Sequence, residues 1–463
     1  MQSLYQQGEK IVHRMLDNHI TLGVTGLSGS GKSTFLTSLI YQLINYPNAV
    51  LPAFSPVNQG RFLGCEMKPL NHESLQDFNY SAALSNLSSN TPSWPQSTVD
   101  LSGILLELRF KSRSSLLPTL GREYQSLWIE IRDYPGEWLL DLPLLKQSFY
   151  DWSCESFEQF SQSPRKQLLG ELKKLLADID PKKAIDYKLL SQIHREYINF
   201  LQRCRDQQLS LVQPGQFLLP GRNFHQILPF FPATSVRHNT MEELENSRTD
   251  SWYHVLKRHY KHYLQYHVTP FYQQSIAEID RQIILVDTLK PLSEGETCLN
   301  DMQLALSRIL DNFSYGENSL LQRLFSPKIS KVVIAATKID QVLPEQHENV
   351  RALISSMVYK MIREARYQHI DIYTEAISAV RSTQPDQYKK QSGLLGVDDS
   401  GQQGLFSHPT IPTQIPNKKE WQQFSDWKPG KLRPPLNPRL NQGGVLPHVR
   451  LDIMLRELIG DKF

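Results

Sequence analysis

The stretch Ile20-Thr-Leu-Gly-Val-Thr-Gly-Leu-Ser-Gly-Ser-Gly-Lys-Ser33 decides the fold of this 463-residue chain. Residues 20–25 are mostly apolar or β-branched and predict a buried strand, and residues 33–44 have apolar side chains at helical spacing. Between them, residues 26–33 match G-x-x-x-x-G-K-[ST], in which glycines let backbone N–H groups face phosphate oxygens. The strand, turn and helix together predict a nucleoside triphosphate site in an α/β protein.

The turn and the start of the helix supply the residues that we expect to bind phosphate, and the helix N-terminus adds partial positive charge there. Lys32 is predicted to reach the β- and γ-phosphates and to assist catalysis, and the Ser33 hydroxyl to bind Mg²⁺. The predicted phosphate-loop residues are Gly26, Leu27, Ser28, Gly29, Ser30, Gly31, Lys32, Ser33 and Thr34. This loop alone selects neither the base nor the reaction.

A second segment, Ile129-Glu-Ile-Arg-Asp-Tyr-Pro-Gly136, is predicted as a strand that ends in D-x-x-G. An aspartate at the carboxyl end of such a strand can hold magnesium, commonly through water, so Asp133 is a predicted metal ligand. The N–H of Gly136 is predicted to contact the γ-phosphate during catalysis. The alternative explanation is an ordinary Asp-Pro-Gly turn.

A third segment, Val332-Val-Ile-Ala-Ala-Thr-Lys-Ile-Asp340, ends a predicted buried strand with T-K-x-D. The Asp340 carboxylate can accept hydrogen bonds from guanine N1–H and N2–H₂, whereas adenine has no amine at that place. One helix later, the next strand ends at a Ser-Ala pair whose backbone N–H can face guanine O6. The predicted guanine-binding residues are Thr337, Lys338, Asp340, Ser378, Ala379 and Val380.

These segments resemble the motif set of Ras-like GTPases. Over essentially the whole chain, the sequence resembles the bacterial YcjX-like family of Ras-like P-loop GTPases, through GLSGSGKST, WPQST, RDYPGEWLLDLPLL and ATKIDQVLP. The resemblance implies GTP, GDP and Mg²⁺ as ligands. It also implies a bacterial, cytoplasmic protein in a stress-response setting, with a membrane-protein partner that would place it at the inner membrane.

The resemblance implies a threonine just before the first strand of a hairpin, as a ligand of Mg²⁺ and sensor of the γ-phosphate. Strand-like runs at 103–110 and 126–132 flank a turn-rich stretch, 118–122, and predict that antiparallel hairpin. Ser97 and Thr98 precede it, and Thr98 is our preferred ligand and catalytic residue.

Hydrolysis needs a group that orients the attacking water, and Ras-like proteins often have a glutamine directly after D-x-x-G. Here that position is Glu137, whose charge would repel the γ-phosphate, so we expect slow intrinsic turnover. Glu137 could act as a base or be a bystander. Pro95 stands where a catalytic arginine precedes the switch threonine in the α-subunits of heterotrimeric G proteins, which leaves Arg61, Arg132 or a partner as the source.

The predicted fold is a Ras-like P-loop GTPase domain of the α/β class, with a mostly parallel sheet, one antiparallel hairpin, helices on both faces and a large inserted helical domain. A helix near residues 3–17 precedes the first strand. The predicted segments are 1–137 with the phosphate loop and both switches, 138–280 as the helical insertion, 281–382 with the guanine motifs, 383–446 as a Pro/Gln/Gly-rich loop, and 447–463 as a C-terminal helix of the GTPase domain.

Composition fits a globular protein, with 40% hydrophobic and 21% charged residues, and a formal charge of +3 gives no argument for nucleic acid. The cysteines Cys65, Cys154, Cys204 and Cys298 are far apart and form no zinc motif. No stretch reaches the about 18 apolar residues that span a bilayer, so a cytoplasmic protein is expected, with peripheral membrane contact left open. The oligomeric state is not indicated.

Two further features have competing interpretations. His259 and His262 share a helix face and could bind metal, although an aromatic packing helix with a basic face is the preferred interpretation. The late basic loop carries Trp421, Phe424 and Trp427, which could stack nucleic-acid bases but more often pin a loop to its domain. Three functional alternatives follow: a GTP-binding scaffold with negligible turnover, an ATPase or kinase, and an RNA-associated GTPase.

Overall fold

The computed structural model describes residues 18–70, 72, 75–96, 100–111, 124–218, 227–311, 329–366, 370–388, 391–436 and 440–463. The predicted helix near 3–17, the turn at 118–122 and the candidate switch residues Ser97 and Thr98 lie outside these residues. Contacts divide the chain into two compact units. The first is Met1–Pro135 with Ala277–Gly295 and Ser314–Phe463, and the second is Gly136–Ile276 with Glu296–Phe313.

The first unit contains an eight-stranded sheet with the order β2-β4-β5-β1-β6-β7-β8, and β3 pairs with β4. Its strands are β1 (His19–Gly26), β2 (Phe62–Lys68), β3 (Gln76–Asp77), β4 (Ser102–Lys111), β5 (Tyr124–Asp133), β6 (Arg281–Val286), β7 (Lys331–Ala336) and β8 (Asp371–Ala376). β1 runs parallel to both of its neighbours, β5 and β6, and β6, β7 and β8 are also parallel. β4 pairs with β5 in antiparallel fashion, which confirms the predicted hairpin pairing.

This topology places the carboxyl ends of β1, β5, β6, β7 and β8 at one edge of the sheet, because parallel strands share a direction. Gly26 is level with Leu285 of β6, and Val24 with Asp133 of β5. The prediction of a mostly parallel α/β sheet with one antiparallel hairpin is therefore confirmed. Loops that follow these strands meet at the same edge, where open α/β sheets bind ligands.

The helices of the first unit that contact the sheet most are Lys32–Ile44, His347–Arg366 and Leu451–Ile459, and each buries an apolar stripe. The α-helices of this unit are Lys32–Ile44, Ser55–Asn58, Tyr80–Ser88, Leu289–Glu294, His347–Arg366 and Leu451–Ile459. The phosphate-loop helix (Lys32–Ile44) and the C-terminal helix (Leu451–Ile459) contribute to one buried cluster with alternate residues of β1 and β5. The core of this unit thus joins segments from both ends of the chain.

The second unit is helical, and all described residues between 136 and 276 belong to it. Its α-helices are Gly136–Leu139, Phe149–Ser161, Arg165–Leu168, Leu172–Ala177, Tyr187–Asp206, Met241–Glu245, Trp252–Tyr263, Thr269–Phe271 and Glu296–Asp311. The predicted apolar stripe Ile193, Tyr197, Phe200 and Leu201 is buried. Aromatic rings form much of this core, including a stacked pair, Trp152 and Tyr260, with centroids 5.2 Å apart.

The segment 383–446, predicted as a loop, contains a small antiparallel sheet of three strands, β9 (Gln384–Tyr388), β10 (Gln391–Val397) and β11 (Gln403–Phe406). Its strands are short and rich in Gln and Gly, so they lack the alternating apolar pattern by which strands are recognised. Phe424 is buried and its ring lies 6.2 Å from that of Trp421 and 6.1 Å from that of Trp427. These rings pack with one another.

No helix within the described part of the chain is both long enough and apolar enough to cross a membrane.

Candidate nucleotide-binding site

The phosphate loop leaves the carboxyl end of β1 in the middle of the sheet. The N–H of Leu27 donates to the carbonyl of Leu285 at 3.0 Å, which fixes the loop against β6. Gly29 and Gly31 have φ angles of 76° and 79°, a backbone conformation that favours glycine. A Cβ on Gly26 would lie 2.2 Å from the Ser30 hydroxyl and 3.0 Å from the Leu285 carbonyl. Gly29 and Gly31 thus permit the backbone conformation of the loop, and Gly26 permits its close packing against Ser30 and Leu285.

Several backbone donors of this loop are unpaired. Among the described residues, the N–H groups of Gly29, Gly31, Lys32 and Thr34 meet no protein acceptor. Lys32 begins the phosphate-loop helix, so the partial positive charge of its N-terminus is added to these donors. Unpaired N–H groups at a helix N-terminus fit an anionic phosphate. The loop therefore has the donor set that a nucleotide requires.

Lys32 and Asp133 form an ion pair in which the Lys32 ammonium donates to the carboxylate of Asp133. The Asp133 side chain is only 1% exposed and also lies 3.3 Å from the Ser102 hydroxyl. Ser33 is buried in the first turn of the helix. Carboxylate and hydroxyl oxygens are ligands that Mg²⁺ prefers, so Ser33 and Asp133 are suitable candidates.

Asp340 lies just after β7 and is surrounded by donors. The hydroxyl of Ser378 donates to Oδ1 at 2.6 Å, and Ser382 donates to Oδ2 from its N–H at 2.8 Å and from its hydroxyl at 2.6 Å. The Thr383 hydroxyl donates to the Asp340 carbonyl. The carboxylate has about four acceptor sites, of which three are filled. Two hydrogen bonds from a base would displace one of these hydroxyls.

The neighbours of Asp340 hold its loop in place. The N–H of Thr337 donates to the carbonyl of Val286 at 2.8 Å. Lys338 has a φ of 61°, and its ammonium lies 2.7 Å from the Asp287 carboxylate at the end of β6. Asp287 and Ser382 were not among the predicted site residues, since neither belongs to a recognisable motif. An acidic residue directly after an apolar strand is the signal that could have indicated Asp287.

The Ser378-Ala379-Val380 segment follows β8 at the same edge of the sheet. Within the described residues, the N–H groups of Ala379 and Val380 donate to no protein acceptor. Ser378 contacts Asp340, so the two predicted base-reading segments are brought together. The site thus combines a carboxylate acceptor with two free N–H donors, which is the set that guanine requires.

Gly136 and Glu137 begin the second unit in the short helix Gly136–Leu139, and the Glu137 residue is 5% exposed. A Cβ on Gly215 would lie 2.0 Å from the Glu137 carbonyl oxygen, so Gly215 permits a close approach to this helix. The nearby Asp141 accepts hydrogen bonds from the N–H groups of Gly215 at 2.8 Å and Gln216 at 3.2 Å, and from the Tyr263 hydroxyl at 2.6 Å. The segment after D-x-x-G is therefore bound firmly within the helical unit.

The two arginines considered for catalysis are engaged elsewhere. Arg132 is 1% exposed and forms ion pairs with Glu130 at 2.9 Å and Glu278 at 2.7 Å. Arg61 donates to the carbonyl of Lys111 at 3.1 Å, at the end of β4 opposite to Ser102 and therefore opposite to the phosphate loop. Neither position fits a catalytic arginine at the phosphate site.

His259, one of the two histidines considered as metal ligands, has a structural explanation. The Nδ1 atom of His259 lies 2.7 Å from the carbonyl of Pro229 in the second unit, and burial lowers the pKa of His259. In the described parts of the chain, no three His, Cys, Asp or Glu side chains are grouped to hold a metal ion.

Comparison with known proteins gives full-length matches. A family model described as the YcjX-like family, DUF463, matches residues 20–463. The chain is 34% identical over 475 residues to the Ras-like GTPase YcjX of Escherichia coli, and the match covers 100% of both chains. It is 32% identical over 479 residues to the Ras-like GTPase YcjX of Shewanella oneidensis, covering 100% of this chain and 98% of that protein.

Proposed function

The chain belongs to the YcjX-like family, and from this premise we propose that it binds guanine nucleotides with Mg²⁺ and hydrolyses GTP to GDP and phosphate. The observation that carries the proposal is the shared sheet edge: Asp133 ends a strand there, and the phosphate loop, Asp340 and Ser378 follow parallel strands that end there. Both named relatives are Ras-like GTPases, which supports the same activity.

The phosphate loop performs the first task, which is to bind the charged end of the nucleotide. The unpaired N–H groups of Gly29, Gly31 and Thr34 donate to phosphate oxygens. Lys32 exchanges its contact with Asp133 for contacts with the β- and γ-phosphates, because a triphosphate carries more negative charge than one carboxylate. That exchange frees the Asp133 carboxylate to face the metal site with Ser33 and Thr98.

Ser33, Thr98 and Asp133 would hold Mg²⁺, which would supply positive charge to stabilise the phosphates. The protein's own part in hydrolysis is to hold Lys32 and the N–H group of Gly136 where negative charge increases. Glu137 stands where a neutral glutamine would orient water, and a carboxylate repels the γ-phosphate. Intrinsic turnover is therefore slow, and Glu137 acts as a base only if its charge is offset.

Asp340 performs the second task, which is to select the base. Its carboxylate accepts N1–H and N2–H₂ of guanine, while Ala379 and Val380 donate to O6. Adenine has an acceptor at N1 and a donor at its 6-amine, so each of these contacts would be mismatched. Guanosine nucleotides are bound in preference to adenosine nucleotides for this reason.

The nucleotide state is reported to a partner, in a switch mechanism of the Ras type. The resemblance supports a bacterial cytoplasmic protein, a stress-response setting and a membrane-protein partner at the inner membrane. The close packing of residues 137–141 within the helical unit supports that unit as the part that responds to the second switch.

The test is a binding and turnover experiment on the full chain. Competition between GTP and ATP should favour GTP, and single-turnover assays with Mg²⁺ should release phosphate above the level of Lys32→Ala. The control Lys360→Ala removes a lysine whose side chain is 79% exposed, and it should behave as wild type. Preference for ATP would refute the role of Asp340 and support an ATPase.

A second candidate function is a GTP-binding scaffold with negligible turnover, which the glutamate at position 137 favours. GTP binding that depends on Lys32, combined with phosphate release no faster than in Lys32→Ala, would establish the scaffold and exclude the GTPase. RNA binding that weakens steeply with salt would instead indicate the RNA-associated alternative.

A further inference from the structure

The loop that follows β8 is held by two distant parts of the chain. Ser378 and Val449 exchange two backbone hydrogen bonds, from Ser378 N–H at 2.9 Å and from Val449 N–H at 2.8 Å. The Ser38 hydroxyl, on the phosphate-loop helix, donates to the carbonyl of Ala379 at 2.5 Å. The carbonyl groups of Ser378 and Ala379, which are successive in the chain, therefore have fixed directions.

These carbonyl directions also fix the directions of two N–H groups. In a trans peptide the C=O and N–H bonds point in opposite directions. The described cis peptides all precede proline elsewhere in the chain, so the peptides at 378–380 are trans. The N–H of Ala379 therefore points away from Val449, and the N–H of Val380 points away from Ser38.

In the Ser378–Val380 segment, the N–H groups of Ala379 and Val380 are the two that donate to no protein acceptor within the described residues. Val380 is only 3% exposed, and buried backbone N–H groups are almost always hydrogen-bonded. A carbonyl oxygen with two lone pairs could accept from both. Guanine O6 is such an oxygen, whereas adenine has a donor amine at the same place.

The phosphate-loop helix also fastens the C-terminal segment 440–450 that carries Val449. The Gln42 amide donates to the carbonyl of Leu446 at 2.6 Å, and the Tyr41 hydroxyl donates to the carbonyl of Leu440 at 2.8 Å. The helix that begins at Lys32 thus orients the loop after β8 both directly, through Ser38, and through this segment.

We propose that Ser38 and Val449 are positioning residues for guanine recognition, which orient the N–H groups of Val380 and Ala379 toward O6 of the base. This inference rests on the proposed function and deepens it. Neither residue touches the base itself. Their removal should therefore weaken recognition of O6 and leave binding of the phosphates intact.

The test compares two ligands by calorimetric titration of the full chain with Mg²⁺: GDP, and the diphosphate of 2-aminopurine riboside, which lacks O6 and the N1–H that Asp340 accepts. Each variant is compared with wild type on the same ligand, so the missing N1–H contact is common to both. Ser38→Ala should lower the affinity for GDP about 3- to 10-fold, the usual effect of one hydrogen bond. Its affinity for the ligand without O6 should change less than about 2-fold. The control Ser356→Ala removes a hydroxyl that donates to the Leu353 carbonyl at 2.7 Å within another helix, and should change neither affinity.

Val449→Pro removes the second donor and should show the same selective loss, while Val449→Ala keeps the N–H and should resemble wild type. If circular dichroism shows that the proline variant does not fold, Ser38→Ala decides alone. Equal losses for both ligands, or no loss for GDP, would overturn the positioning role while the proposed function stands. A wild-type protein that binds no GDP would overturn both.

Discussion

At the scale of single residues, the role in base selection proposed for Asp340 depends on its surroundings, which limit how it can be changed. Ser378 contributes a hydroxyl to Oδ1, and Ser382 contributes a hydroxyl and an N–H to Oδ2. A hydroxyl can reverse from donor to acceptor, but a backbone N–H cannot. An amide at this position would therefore place its nitrogen next to Ser378 and its oxygen next to Ser382.

Asp340→Asn should change the base that the protein prefers from guanine to xanthine. Xanthine has a carbonyl oxygen where guanine has its 2-amine, and an asparagine amide can donate to that oxygen. We expect GDP affinity to fall about 10- to 100-fold, because two charge-assisted hydrogen bonds are affected, and xanthosine diphosphate to become the better ligand. Competition binding measures both, and unchanged preference for GDP would contradict the assignment. Asp371→Asn, an exposed aspartate at the start of β8, serves as the control.

At the scale of one structural element, the buried carboxyl of Asp141 holds the segment 137–141, which follows D-x-x-G, against the loop at 215–216. Burial raises the pKa of Asp141 to about 7, against the opposing effect of hydrogen bonds from Tyr263, Gly215 and Gln216. The protonated carboxyl can donate to the Tyr263 oxygen, which lies 2.6 Å away. The segment 137–141 is thereby joined to the loop at 215–216 in either protonation state.

The raised pKa makes the stability of the helical unit depend on pH. In the unfolded chain the carboxyl releases its proton near pH 4, but in the folded protein it keeps it up to about pH 7. The folded state thus binds more protons between these values, so its stability falls as pH rises through this window, by about 1.4 kcal/mol per pH unit. Calorimetric unfolding at pH 5 and pH 8 should show this slope in wild type.

Asp141→Asn cannot titrate, so its melting temperature relative to wild type should rise between pH 5 and pH 8. The exposed Asp206 offers a matched control, and Asp206→Asn should keep the wild-type slope. The same pH dependence in wild type and Asp141→Asn would show that another group is responsible.

At the scale of the whole molecule, the sheet of the first unit is assembled from segments far apart in the chain. The last helix, Leu451–Ile459, places Leu455 and Leu458 in the same buried cluster as β1 and the phosphate-loop helix. Phe463 packs its ring 4.6 Å from that of Phe110 and 5.2 Å from that of Phe54. The C-terminus is thus part of the domain core.

Leu458→Ala should lower the free energy of unfolding by about 2–5 kcal/mol, because it removes a fully buried side chain and leaves a cavity. Leu436 is 67% exposed, so Leu436→Ala is the matched control and should change stability by less than about 0.5 kcal/mol. Urea unfolding of both variants measures the difference. Equal stabilities would mean that the C-terminal helix is not needed for the core.

Patterns within short stretches of sequence determined the strand, phosphate loop and helix at 20–44, the antiparallel hairpin and the candidate roles of Asp133 and Asp340. They could do so because hydrophobic periodicity and motif spacing are local properties of the chain. The three-stranded sheet after residue 383 was missed for the same reason, since its Gln- and Gly-rich strands have no such periodicity.

The tertiary structure alone decided which residues surround these motifs. It placed Ser382 on Asp340, buried Arg132 between Glu130 and Glu278, and joined Val449 to Ser378. Most of these contacts join residues that the motifs do not link, and the partners lie up to 146 positions apart, as Arg132 and Glu278 do. Packing of the sheet and its helices creates such contacts, and no local pattern in the sequence encodes them.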